Sequence, residues 1–579
     1  MAIDGALRHN DRIPLYLLLL AFACYGRVLF MKDIFWDDNC WLEAIYASNN
    51  LSQFLNAGFV ELRRIPLGAF LYYFYDLHKL TDHAVLLWEI FNLAIQVVTP
   101  LLIYRLTTNL SSGNRTIGAA AAAFFIVVPL DHTLPYLSAI NYRLGLLLSV
   151  LSLLLSERAV AAEKTRWGLL LTSLMLSLFT QCALTESAVA LEPARALVFW
   201  HHLRGRGLSL RVSIAHALRY STIFIAGMVP LILYKMLYRP FGMYEGIYKS
   251  DIIGLFNWKE HARLAWIALR GLWIVLLKLG AYASVASVML GIAAALLSFF
   301  LLRRTSIQPP GNTDKTEIPT WQHCIKPFSF VLLFGITVLL LQHFMFAIVG
   351  RPLALGADSS HAALMQIGYA IIGGALILCL FSRIARPPAR RGIATAALAV
   401  FIGLGVYFNN LNLDLYAQGS VRQASFWKTF MSRFPNLPPD ATLFVDAKDP
   451  FFFYTSDLDN TYDLELYLNL LYAPTADAAS FRRYRVLSIE DEFRQLYQER
   501  PSDIAEFKPV SRMTHFGRDI LDPRSFIVVR YRDGELLVNA EILAKYPDVP
   551  YAVWARKPFP TLPDAPASYP LRSRAPGFS

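Results

Sequence analysis

Adjacent carboxylates, Asp37 and Asp38, follow the first apolar segment of the chain and lie between Trp36 and Trp41. A carboxylate at a membrane surface can act as a general base that takes a proton from an incoming hydroxyl group. The pair can equally serve the fold, because Asp38 or Asn39 suits the N-cap of a following helix, a role worth about 1 kcal/mol. The residues alone leave both interpretations open.

Arginines close to prolines form a second group of candidate residues. Arg63 and Arg64 stand just before Pro66 in RRIPL, and Arg351 follows an apolar segment in AIVGRPL. A guanidinium group binds a phosphate through paired hydrogen bonds, so these arginines are candidate ligands of a lipid phosphate. Snorkelling of the arginines to the membrane surface is the alternative.

Further ionisable residues lie in or beside apolar segments. His132 occurs in VPLDHTLPY, Arg143 in NYRLG and Glu186 in ALTESAVALEP. Ionisable groups at membrane depth are costly, which favours a function or a partner for each of them. The stretch from Glu186 to Glu192 is therefore a functional hypothesis, and a structural ion pair between Glu192 and Arg195 is the competing one.

Membrane helices are the elements that must position these side chains. The chain has 579 residues, 55% of them hydrophobic, and its mean hydropathy is positive, which is atypical of soluble globular proteins. Crossing the hydrocarbon core takes about 20 mostly apolar residues. About eleven segments meet this requirement: 14–31, 84–104, 116–134, 137–156, 167–184, 186–203, 218–238, 281–302, 327–349, 361–382 and 392–410.

Lys and Arg concentrate in alternate loops, among them the loops after residues 104, 156, 203, 302 and 382. Cytoplasmic loops are enriched in these residues, which predicts an internal N-terminus and, with an odd number of spans, an external C-terminus. The net charge of +11 is then a consequence of topology and gives no reason to expect nucleic-acid binding. The first segment lacks a small-residue cleavage site and indicates a retained anchor.

The predicted fold is therefore an α-helical polytopic membrane protein with a small external α/β domain at its C-terminus. Residues 1–410 form the transmembrane domain, and its first external loop, 32–83, holds amphipathic stretches suited to the membrane interface. Residues 411–440, with FPNLPPD, form a linker. In 441–579, TLFVDA, RVLSI and SFIVVRYRDGELLVNAEI are typical of strands, and DLELYLNLLY is typical of a helix.

The order of these motifs resembles the GT-C fold glycosyltransferases, in particular their protein O-mannosyltransferase-like branch. WDD at 36–38 looks like the acidic motif of that branch, and RRIPLGAFLYYF at 63–74 looks like its Arg-Pro segment with an inserted Ile65. PLDHTLPYLSAINYRLGLLLSVLSLLL at 129–155 and TESAVALEPARALVF at 185–199 resemble further family segments. The resemblance covers residues 14–205 best and is absent from the C-terminal tail.

The resemblance implies an inverting transfer of a sugar from a polyprenyl-phosphate donor to an acceptor protein, lipid or glycan. Asp37, and after it Asp38, corresponds to the base. Arg64 and Arg351, with Arg63 beside them, correspond to ligands of the donor phosphate. It also implies an extracytoplasmic site in an inner or plasma membrane.

Supporting roles near the substrate fall to residues at the other matched motifs. His132, Arg143 and Glu186 occupy the corresponding positions. Thr185 replaces the lysine that usually precedes the glutamate in the family, so a role needing that charge is in doubt.

Other classes of protein remain as alternatives. A transporter or flippase of lipid-linked sugars would place ionisable groups nearer the membrane midplane, and a non-catalytic scaffold would keep the fold without the reaction. Nucleotide-binding loops and HExxH or GxSxG motifs do not occur in the sequence. No cofactor is expected; Mg²⁺ or Mn²⁺ on the paired carboxylates is an alternative that the lack of a further acid cluster disfavours.

Overall fold

Helices dominate the structure, which is a computed structural model of the chain. The residues that it describes are 12–31, 33–35, 37–57, 59–60, 64–128, 130–162, 164–237, 259, 266, 279–304, 328–349, 363–384, 388–435, 437, 440–446, 461–472, 481, 484–488, 503, 506, 508–514, 517–532 and 535–538.

The helices follow one another along most of the described chain. In order they are α1 (Ile13–Tyr25), α2 (Asp37–Tyr46), α3 (Leu51–Asn56), α4 (Ile65–Leu80), α5 (Ala84–Leu110), α6 (Arg115–Val127), α7 (Ile140–Ala161), α8 (Trp167–Phe179), α9 (Glu192–Gly205), α10 (Leu210–Leu237), α11 (Val285–Arg304), α12 (Ser329–Val349), α13 (Gln366–Ile384), α14 (Pro388–Arg433) and α15 (Thr461–Tyr472). Short 3-10 helices occur at Gly26–Phe30, Leu137–Ala139, Glu186–Leu191, Leu279–Tyr282 and Pro523–Ser525, and a π-helical turn at Thr180–Leu184.

Within the described residues, 8 helical stretches are long and apolar enough to cross a membrane, as expected for a multi-pass membrane protein. Each coincides with a predicted segment. The predicted count of eleven is not confirmed, because the other segments form shorter or interrupted helices. In the segment predicted at 116–134 the helix ends at Val127. The segment predicted at 186–203 consists of a 3-10 helix followed by α9. In the segment predicted at 327–349 the apolar helical part is Ser329–Met345.

Close helix contacts depend on glycine at a few positions. A Cβ atom on Gly403 of α14 would lie 2.6 Å from the backbone oxygen of Gly291 in α11. A Cβ atom on Gly374 of α13 would lie 2.6 Å from the backbone nitrogen of Ala121 in α6. Small residues let helix backbones approach closely, which is how membrane helices associate without a hydrophobic driving force.

Helix α14 continues well past its apolar part. Its 46 residues span about 69 Å, more than twice the roughly 30 Å of a hydrocarbon core. Residues 411–433 belong to this helix, so most of the predicted linker 411–440 is helical. Phe426, Trp427 and Phe430 near its end are fully buried, and they anchor the extension in the core described below.

The C-terminal region contains the predicted strands and helix. Strands β1 (Thr442–Asp446), β2 (Arg485–Ser488), β5 (Phe526–Arg532) and β6 (Glu535–Val538) form a sheet in the order β2-β1-β5-β6. Strand β1 pairs in parallel with β2 and β5, and β5 pairs antiparallel with β6. Strands β3 (Val510–Thr514) and β4 (Gly517–Leu521) form a separate antiparallel pair.

One hydrophobic core joins the first loop to the C-terminal region. It includes Phe54 and Tyr75 of the loop helices, the end of α14, and Leu443 and Leu468 of the C-terminal region. Tyr46 of α2 also stacks on Phe481, with ring centroids 4.9 Å apart. The helices of the first loop and the C-terminal region therefore pack against each other.

Candidate functional site

The acidic pair divides into an exposed and a buried carboxylate. Asp37 begins α2 and is exposed, whereas the side chain of Asp38 has 0% exposure. On α2, Asp38 shares a face with Leu42 and Ile45, which are also buried. Of the pair, Asp37 is thus the carboxylate that an incoming group can reach.

Asp38 ties three elements together. Tyr75 of α4 donates its hydroxyl hydrogen to Oδ1 over 2.7 Å, and the backbone N–H of Leu137 donates to Oδ2 over 2.9 Å. The backbone N–H of Ser138 donates to Oδ1 as well. Leu137 and Ser138 open the 3-10 helix before α7, so Asp38 caps a helix other than its own and neutralises part of that helix's N-terminal dipole.

Burial raises the pKa of Asp38 to about 6, against the smaller opposing effect of its hydrogen bonds from Tyr75, Leu137, Ser138 and Phe35. Because this pKa lies above the value of 3.8 for an unperturbed Asp, the group's contribution to stability is complete below about pH 4 and is lost as the pH rises through about 6.

We expect the free energy of unfolding to fall by about 3 kcal/mol over that window on account of Asp38. Thermal unfolding of the detergent-solubilised chain and of its Asp38→Asn variant, at pH 4.5 and pH 7, tests this. The stability advantage of the unmodified chain over the variant should shrink at the higher pH. A pH-independent difference would contradict the prediction.

Arg143 lies at the centre of a buried polar network and is only 1% exposed. Its Nε donates to Asp131 Oδ2 over 2.9 Å, and its Nη1 donates to Asn92 Oδ1 over 2.9 Å. Further N–H groups donate to the backbone oxygens of Thr133 and Tyr136. Arg143 therefore holds the turn between α6 and α7 in place, and this turn carries the N–H groups that bind Asp38.

His132 belongs to the same turn and is fully buried. Its backbone oxygen accepts hydrogen bonds from Asn412 Nδ2, at 3.0 Å, and from the hydroxyl group of Tyr416, at 2.9 Å. Both donors lie on α14. The backbone of the predicted histidine thus connects the turn with α14.

Sequence reasoning missed several members of this network. Tyr75 binds Asp38, and Asn92 donates both to Glu89 Oε2, at 3.2 Å, and to the backbone oxygen of Leu134, at 2.6 Å. Glu89 and Asn92 are 0% exposed. Their polar side chains, three residues apart within an apolar segment, were a signal that could have identified them.

Arg64 and Glu186 form an ion pair. Arg64 is the N-cap residue of α4, with Pro66 in the first turn. Its Nε lies 3.2 Å from Glu186 Oε1, its Nη2 lies 3.3 Å from Oε2, and each side chain is 30% exposed. The structure thus joins a predicted phosphate ligand to a predicted supporting acid in a two-point contact.

A largely apolar cavity of about 440 Å³ lies beside this ion pair. The first turn of α4, the π-helical turn and α10 contribute to its wall. π-Helical segments inside helices are rare and frequently occur at functional sites. The described lining residues are Arg64, Ile65, Pro66, Leu67, Gln181, Cys182, Ala183, Leu184, Thr185, Glu186, Gly227, Pro230, Leu231 and Tyr234.

The candidate residues thus form two neighbouring centres along α4. Arg64 precedes the helix and Tyr75, which binds Asp38, lies three turns along it, so the two Cα positions are about 16 Å apart. Of the predicted site residues, Arg64 and Glu186 contact each other, whereas Asp38 contacts Tyr75 and the turn before α7. Arg63 and Arg351 lie outside the described residues.

Glu192 and Arg195 form the buried ion pair that was the alternative to a functional role. Arg195 Nη2 lies 3.0 Å from Glu192 Oε1, and both side chains are 2% exposed. Arg195 also donates to Ser156 and Ser173, at 2.6 Å and 2.9 Å. These bonds join α7, α8 and α9, so the pair serves packing inside the bundle.

No family model matches the chain, and neither does any curated protein. The resemblance to GT-C glycosyltransferases therefore depends on the short motifs and on the residues described above. Across the described residues there is also no group of three or more His, Cys, Asp or Glu side chains placed to hold a metal ion.

Proposed function

We propose that the chain is a membrane glycosyltransferase that moves a sugar from a polyprenyl-phosphate donor to an acceptor hydroxyl group on the external membrane face. The acceptor oxygen attacks the anomeric carbon, and its proton passes to Asp37. The bond to the phosphate oxygen breaks with its electron pair, which releases polyprenyl phosphate and inverts the anomeric configuration.

The position of Arg64 is the observation that carries the proposal. Its guanidinium group lies at the edge of an apolar cavity, as binding of an anionic headgroup with an apolar tail requires. A guanidinium group offers paired donors to a phosphate and stabilises the charge that develops on it as it leaves. The exposed cavity neighbours Ile65 and Tyr234 suit contact with lipid.

Asp37 supplies the base in this proposal. It lies on the first turn of α2, whose position is held by Asp38 through α4 and the turn before α7. In this proposal the sugar extends from its phosphate at Arg64 towards the acceptor at Asp37. The buried network of Asp38 and Arg143 then has a positioning role, because it orders the backbone that carries the base.

A panel of polyprenyl-phosphate sugars tests the reaction class directly. The purified full-length chain is incubated with each donor and a mixture of hydroxyl acceptors, with and without EDTA. Release of polyprenyl phosphate together with a glycosylated acceptor is the expected result, and it should persist in EDTA. Movement of intact donor across vesicle membranes without release would instead indicate a flippase.

Arg64→Ala should raise the KM for the donor by about tenfold or more, because a charge-assisted contact to the phosphate is lost. Arg211→Ala provides the matched control, since Arg211 is an exposed arginine at the opposite end of α10. The KM of the control should stay within twofold of the unmodified chain. Equal effects of both substitutions would argue against a phosphate site at Arg64.

A further inference from the structure

A carboxylate shares the edge of the cavity with the arginine. Glu186 contacts Arg64 at 3.2 Å and 3.3 Å, and these are the charged residues among the described lining residues. The carboxylate occupies the paired geometry that a phosphate would take on the guanidinium group. An anionic ligand of Arg64 must therefore displace or compete with Glu186.

This arrangement addresses a problem of selectivity. Ile65 is 43% exposed and Tyr234 37% exposed, and both line a cavity beside an apolar helix that is long enough to cross a membrane. Anionic phospholipids such as phosphatidylglycerol also carry an apolar tail and a phosphodiester. A bare arginine beside the cavity would bind them as readily as a rare donor, since their phosphates are chemically alike.

We infer that Glu186 is a specificity-determining residue that lowers the affinity of Arg64 for the phosphodiester of bulk anionic phospholipid. This inference rests on the proposed function, because it presumes a donor that gains further contacts through its sugar. Such a ligand displaces the carboxylate, whereas a phospholipid lacks the additional contacts. A binding site often gains specificity from a group that lowers the affinity for the wrong ligand.

The ion pair is suited to this competition because it is accessible. Ion pairs between partly exposed side chains contribute at most about 1 kcal/mol, so a ligand with several contacts can replace Glu186 at modest cost. The buried pair of Glu192 and Arg195 contrasts with it, since both of its side chains are enclosed. Glu186→Gln should accordingly leave the fold intact and remove only the competing charge.

The test measures phospholipid retained by the purified chain. The full-length protein and its variants are reconstituted in vesicles of phosphatidylcholine that contain about 20% phosphatidylglycerol as the anionic lipid. The proteins are then extracted in detergent, and the phosphatidylglycerol bound to each is measured by native mass spectrometry. Glu186→Gln should retain about two- to fivefold more of it than the unmodified chain. Glu186→Asp, which keeps the charge, should retain less than Glu186→Gln.

Matched controls separate competition from a general loss of charge. Asp76 pairs with Lys79 at 3.8 Å on the same helix α4, and the exposures of that pair, 31% and 29%, are similar to those of Glu186 and Arg64. Asp76→Asn should leave retention unchanged. Arg64→Ala combined with Glu186→Gln should abolish the gain, because the added phospholipid binds through Arg64.

Retention by Glu186→Gln equal to that of the unmodified chain, or an equal gain with Asp76→Asn, would overturn the inference. Transfer activity is scored separately on the same preparations. A gain in retention without any transfer by the unmodified chain would refute the proposed function and leave the selectivity of Arg64 standing. Transfer by the unmodified chain without a gain in retention by Glu186→Gln would support the proposed function and refute the role of Glu186 in selectivity.

Discussion

Asp37→Asn should lower the rate of sugar transfer by about 10²-fold or more, because the acceptor hydroxyl group loses the base that takes its proton. The substitution keeps the size of the side chain and removes its ability to accept a proton. Since Asp37 is exposed at the start of α2, the loss of its charge near the helix N-terminus costs at most about 1 kcal/mol of stability. The effect should therefore appear in kcat rather than in folding or donor binding.

Asp82→Asn is the matched control for this prediction, because Asp82 is an exposed aspartate in the same predicted loop. Turnover of the control should remain within twofold of the unmodified chain. Donor binding by Asp37→Asn, measured by titration with a non-transferable donor analogue, should be retained. Full turnover in the Asp37 variant would remove this residue from the mechanism and favour a flippase without a titrating step.

Arg143→Met should lower the free energy of unfolding by about 3–5 kcal/mol, the usual cost of leaving one member of a buried ion pair without its partner. Asp131 is left without its cation, and the oxygens of Asn92, Thr133 and Tyr136 lose their donors. Arg211→Met, at an exposed position, should cost less than about 0.5 kcal/mol. Thermal unfolding in detergent measures both.

A double-mutant cycle shows whether the ion pair is responsible. Asp131→Asn combined with Arg143→Met should cost less than the sum of the single substitutions, because the double variant contains no uncompensated charge. Strict additivity would mean that Arg143 acts through its other hydrogen bonds. Sugar transfer should also fall in Arg143→Met, since the turn that positions Asp38 depends on it.

The apolar segments of the bundle were predictable, whereas the ends of the helices were not. The segment predicted at 84–104 begins where α5 begins, but α5 continues to Leu110 through Arg105 and Asn109. Hydropathy reports where a chain contacts lipid and does not report where hydrogen bonding along a helix stops. Helix α14 also continues beyond its predicted apolar segment. Its polar part after residue 410 packs against other parts of the protein and not against lipid.

An amphipathic pattern was nevertheless present in that missed part of α14. Phe426 and Phe430 recur at helical spacing, Phe434 follows directly after the helix, and all three are buried in the core shared with the first loop. The same reasoning indicates burial of Asp38, which lies four residues before Leu42 on one face of α2. It does not indicate exposure of Asp37, because Cys40 and Ala44 on the face of Asp37 are buried as well.

The pairing of Arg64 with Glu186 could not be predicted from one sequence. The two residues are separated by 122 positions, and nothing in their local patterns relates them. Their contact depends on how α4 packs against the π-helical turn and on where the following 3-10 helix begins. Such long-range geometry follows from the packing of whole elements, which residue spacing does not encode.

The core shared by α2–α4 and the C-terminal region also has a consequence for biosynthesis. The ribosome makes the first strand of that region about 360 residues after α4, a delay of roughly 20–70 s at ordinary translation rates. During this interval the apolar faces of Phe54 and Tyr75 lack their final covering. Nascent chains stopped before β1 should consequently engage chaperones or quality-control proteases on the side of the membrane where the loop emerges.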